Sequence, residues 1–158
     1  MVMNEKENVM KYSEEVAKKL NELLEKNYDA EKGYKSAAEH VKNEKLKAFF
    51  SERAKERYDF GHELKAEIRN FGETPEKGSS LEADAHRTWM NLKTALSGNK
   101  EEVVLEEAVR GEEIAVEEYE KIIKDTSIPP STQNVLLKQK NAIVDSLNEV
   151  KSLELQYD

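Results

Sequence analysis

In the stretch ERYDFGHEL (56–64), Asp59 precedes His62 by one helical turn, the spacing at which a metal-binding helix aims two ligands at one ion. Glu56 opens the same stretch, and Glu31 and Glu112 lie in the middle of two other segments. Carboxylates from facing helices, joined by carboxylate–histidine pairs, are the donors of dinuclear iron or manganese centres in helical bundles. Set against that chemistry are Arg53 and Arg57, on the same segment as Asp59. A guanidinium near a bundle centre repels a dication and competes for its carboxylates, because its planar fork grips them and keeps its charge when buried.

The elements that must position these groups are helices. Four long segments carry apolar residues at helical spacing, and no stretch shows the strict alternation of a strand. The first is expected from about Ser13, as N-cap, to about Val41, with residues 1–12 outside it as a mobile N-terminal segment. After a short turn at Lys42-Asn43 the second covers about 44–71. GETPEKGSS (72–80) reads as a loop, and a medium helix over about 81–96 ends at Ser97-Gly98. The third long helix spans about 100–124. The fourth, about 131–156, follows DTSIPPS, whose second proline suits a first helical turn. Helices of 25–30 residues reach ~40 Å and must lie side by side. The short first turn makes the first pair antiparallel, and the long connection between the second and third can run the length of the bundle. The expected architecture is all-α: a single ferritin-like four-helix bundle over residues 13–158, with an extra helix in the crossover.

Polar residues interrupt the apolar stripe near the middle of all four helices: Asn27 and Glu31, Arg53 and Arg57, Glu112, and Gln139. Burying a charge costs several kcal/mol unless it is paired. In one reading Glu31 and Glu112 are metal ligands, with Glu56, Asp59 and His62 as further donors. In the other the carboxylates pair with Arg53 and Arg57 in a buried ion network, with Tyr34 and Tyr119 in hydrogen-bonding reach. The absence of any Glu-x-x-His and of any histidine on the fourth segment favours the network. Counted from Arg57, Phe60 and Leu64, Asp59 and His62 point to the side of the core. His40 sits near a helix C-terminus, where a cation meets exposed carbonyls, and His86 shares its segment with Trp89.

Composition narrows the classes. The charge of −8 argues against a nucleic-acid partner, which requires a concentrated basic patch. With no cysteine there is neither a disulfide framework nor a thiolate nucleophile. No stretch approaches the ~20 apolar residues of a membrane span, and MVMNEKENVMKY lacks the apolar core of a secretory signal, so the cytoplasm is the default.

AEKGYKSAAEHV (30–41), RYDFGHELKAEIRNFG (57–72), HRTWMNLKTALSG (86–98) and RGEEIAVEEYEKII (110–123) together resemble an uncharacterised bacterial family of ferritin-like four-helix-bundle proteins. The resemblance extends from about residue 18 to 153. It implies an architecture near that of ferritins, bacterioferritins and rubrerythrins, and no established activity. Of the ferritin metal motif only Glu31 and Glu112 have matching positions, with Glu56 or Asp59 on the second helix. The fourth helix shows Gln139, Ile143 and Leu147 where a carboxylate–histidine pair is required. The expectation is a bundle with a Glu/Arg network and no cofactor, not an enzyme, acting through protein interactions as a homodimer. The alternative is a carboxylate-rich iron or manganese protein related to the di-iron oxidases.

Overall fold

Asn4 caps the first helix. Its side chain accepts from the Glu7 amide at 2.8 Å while Glu7 reaches back to the Asn4 amide, a reciprocal cap that satisfies two otherwise orphaned donors. Helix α1 therefore runs Glu5–His40, starting ahead of the expected N-cap Ser13 and including residues 5–12. The chain is described by a computed structural model covering residues 4–76, 101–125 and 127–156. The helix expected over 81–96, with His86 and Trp89, lies outside the described residues.

Val41 is extended and ends α1, and Asn43 caps α2 (Glu44–Asn70) by accepting from the Lys45 and Leu46 amides. Helix α2 closes in a Schellman turn. Gly72 takes φ of 76°, its amide bonds the Arg69 carbonyl, and the Glu73 amide bonds that of Ile68. Helix α3 covers Glu101–Ile123, and α4 covers Pro130–Leu155 with proline in its first turn. Among the described residues there is no strand.

Side-chain bonds fix the directions. Glu101, at the start of α3, accepts from the Lys42 and Asn43 amides at the far end of α1, at 2.8 and 3.1 Å. Lys19, near the start of α1, pairs with Asp125 just past the end of α3, and Tyr12 donates to the Ser127 carbonyl. Helices α1 and α3 are thus antiparallel neighbours, and α2 and α4 pair in the same way. The hairpin α1–α2 packs against the hairpin α3–α4, α2 and α3 run in the same direction, and α2 ends at the opposite end of the bundle from where α3 begins.

Two apolar clusters fill the interior. One gathers Leu20, Leu24, Leu64, Ile122, Leu136 and Ile143; the other gathers Ala37, Phe50, Leu105 and Val150, with Tyr34 stacked on Phe50 at 5.9 Å. Between them each helix places a polar residue in the core: Asn27, Arg57, Glu112 and Ser146, none more than 2% exposed. Burial of the apolar clusters supplies the driving force, and this belt is where the fold accepts desolvation cost.

Candidate functional site

At the centre of the bundle Arg57 donates from Nη1 to the Asn27 side-chain oxygen at 2.8 Å and from Nη2 to Glu112 Oε1 at 2.5 Å. Asn27 spends its own amide hydrogens on the Leu23 carbonyl one turn back and on the Tyr119 hydroxyl, at 2.8 and 2.9 Å. Tyr119 donates onward to Gln139 Oε1 at 2.7 Å, and Gln139 Nε2 reaches the Phe60 carbonyl and Glu63 Oε1. One connected network therefore touches all four helices. Every link has a donor facing an acceptor, the condition under which buried polar groups specify a single packing.

The electrostatics follow from burial and pairing. Burial alone would pull the Arg57 guanidinium down, but the facing Glu112 carboxylate and the two tyrosines outweigh it, and its pKa is raised. Burial pushes the Tyr119 hydroxyl up to about 12, with Arg57 working against it. Tyr34 is held well above its ordinary value by burial and then by the Glu112 carboxylate its hydroxyl faces. Both tyrosines stay protonated as donors, and Arg57 stays a cation. Glu56 is also raised, chiefly by burial.

Of the residues singled out in the sequence, Asn27, Arg57, Glu112, Tyr119 and Gln139 meet in this network, and Tyr34 stands against Glu112. Glu31 does not. It sits on the flank of α1, half-buried, and pairs with Lys35 at 2.8 Å. Arg53 also stays out: its Nη atoms lie 3.6 Å from Glu56 and 3.8 Å from Glu52, and its guanidinium caps the Phe49 ring. Asp59 and His62 are both exposed, and His62 packs edge-on to the exposed Tyr58 ring at 4.5 Å. Tyr119 bonds Asn27 and Gln139 rather than a carboxylate. Glu63 and Ser146 are additions. Ser146 stands a heptad from Gln139, and that interval was the signal available in the sequence.

This donor set does not fit a dinuclear iron or manganese centre. Glu112, a buried carboxylate at the bundle centre, is held by a guanidinium, and Glu31 is paired with Lys35 on the flank of α1. The interior of α4 presents Gln139, Ile143 and Ser146. Among the described residues no group of three or more histidines and carboxylates converges to hold a metal ion.

Among the described residues, fold and site together define four long helices, with no strand, closed around a hydrogen-bonded Arg–Glu pair. The chain belongs to the family described as Domain of unknown function (DUF2383), whose model matches residues 15–125. That span takes in α1 from residue 15 onward and all of α2 and α3, and stops short of α4. No protein of curated function matches the chain.

Proposed function

We propose that this protein is a ferritin-like bundle of non-enzymatic role, in which a buried Arg57–Glu112 pair stands where such bundles assemble a dimetal centre. The observation that carries this reading is Arg57 Nη2 at 2.5 Å from Glu112, on side chains 2% and 1% exposed. A cation already neutralises the central carboxylate, and the remaining donors of a ferritin site face elsewhere. The parallel run of α2 and α3, with α2 ending at the opposite end from where α3 begins, supports the ferritin-like topology. On this reading the protein acts through protein contacts as a cytoplasmic homodimer, without nucleic acid. Its acidic charge and the lack, among the described residues, of any helix apolar enough to cross a membrane agree with that.

The test is elemental analysis of untagged protein prepared without chelators, before and after anaerobic loading with Fe(II) or Mn(II). The expected result is metal far below stoichiometry in both cases. Near-stoichiometric iron or manganese that is lost in Glu112→Ala would overturn the reading and establish a carboxylate metal site.

A further inference from the structure

Polar residues in and beside the core repeat along the bundle. Asn27, Phe60, Tyr119 and Gln139 occupy one level, joined through the Tyr119 hydroxyl and the Phe60 carbonyl. A heptad further along each helix, toward the C-terminal end of α1, stand Tyr34, Arg53, Glu112 and Ser146. A heptad is two turns to within about 20°, so each residue keeps the face of its counterpart. Helices α1 and α4 run one way and α2 and α3 the other, so the four shifts carry to a common second level.

The first level closes on itself because Gln139 is long enough to cross to α2. At the second level its counterpart is a serine, whose hydroxyl stops close to its own helix. Ser146 is fully buried, and neither its Oγ nor the buried Arg53 Nε has a hydrogen-bond partner among the described residues. The register set by the Gln139–Phe60 bond, carried one heptad along two antiparallel helices, brings Ser146 and Arg53 to the same level. Two orphaned polar atoms on facing helices, at a level where a short side chain replaces a long one, are what an internal water would satisfy: a buried donor and a buried hydroxyl, each in need of a partner.

We propose that a water molecule is bound between α2 and α4 at this second level, accepting from Arg53 Nε–H and donating to Ser146 Oγ. Charge favours water over an ion. Arg57 is matched by Glu112 and Arg53 stands beside Glu56, so the level has no net charge for a counterion to neutralise. The site does not depend on the metal question above. It gives Ser146 a role in the same belt as Arg57, joining α2 to α4.

The full chain tests it by two routes. A crystal structure at a resolution that shows ordered water should place a density peak at hydrogen-bonding distance, about 2.7–3.2 Å, from both atoms. In solution, the Arg53 Nε–H resonance should show a cross-relaxation peak to water with the sign of a long-lived bound molecule. That peak should weaken in Ser146→Ala, with the helical circular dichroism unchanged. In Ser146→Gln the amide should take the place of the water, as Gln139 does one level away. A direct Arg53–Ser146 hydrogen bond, or a protein group between them, would overturn the proposal. So would an anomalous peak there in bromide-soaked crystals, which would make it an anion site. The wild-type density and cross-relaxation decide the matter even if both variants fail to fold.

Discussion

Arg57 binds Asn27 and Glu112 with one guanidinium, and its neighbours' proton affinities respond to that charge. Glu56, one residue away on α2, lies to the side of the pair, and burial raises its carboxyl pKa. The sign of its effect on stability follows. Ionising Glu56 costs more in the folded chain than in the unfolded one, so its contribution is fully present below the unfolded pKa and is lost as pH rises through the folded value. Glu56→Gln should therefore gain more stability, relative to wild type, at about pH 7.5 than at about pH 3.5. Urea titrations at the two pH values measure this, and a smaller gain at neutral pH would contradict it. At this scale the sequence exposed Asn27, Arg57, Glu112 and Gln139 because a polar residue at an apolar period is conspicuous. Glu31 and Arg53 looked equivalent to them for a geometric reason. Each lies four residues from a true core position, an offset of about 40° around the helix, and a long charged side chain at that offset reaches the surface.

Helices were legible wherever the periodicity was long, and their ends were legible wherever a cap was local. Asn43, Gly72 and Pro130 mark boundaries through their own chemistry, and the observed helices end at or beside the expected residues. The start of α1 was not legible in this way. Residues 5–12 carry almost no buried surface, so the apolar pattern fades there, and the Asn4–Glu7 capping box sets the boundary instead. Within α2, Gly61 is buried and opposes α1, yet a Cβ built on it would meet only the Leu24 Cδ1 at 3.6 Å, an ordinary contact. Nothing in the backbone requires glycine at this mid-helix site. Gly61→Ala should raise stability by about 0.5–1 kcal/mol through the entropy glycine loses in a helix. A loss of stability on urea denaturation would show that the α1–α2 approach is tighter than this geometry allows.

At the scale of the whole molecule, two apolar clusters are separated by a polar belt, and the Arg57–Glu112 pair is the charged link in that belt between the two hairpins, beside the Asn27–Tyr119 and Gln139–Phe60 bonds. The hairpin order was readable from loop lengths. That a carboxylate pairs with an arginine across helices was readable too, but which carboxylate was not, because register between helices is a tertiary property that no single segment encodes. The central claim is that this pair is buried, mutually dependent and structural. The measurement that tests it most directly is a double-mutant cycle on urea unfolding with Arg57→Met, Glu112→Leu and the two combined. Each single change orphans a buried charge and should cost about 3–5 kcal/mol, while the double variant should cost much less than the sum. Single variants within about 0.5 kcal/mol of wild type, or costs that simply add, would mean that the two charges are not a coupled buried pair, and the account would fail.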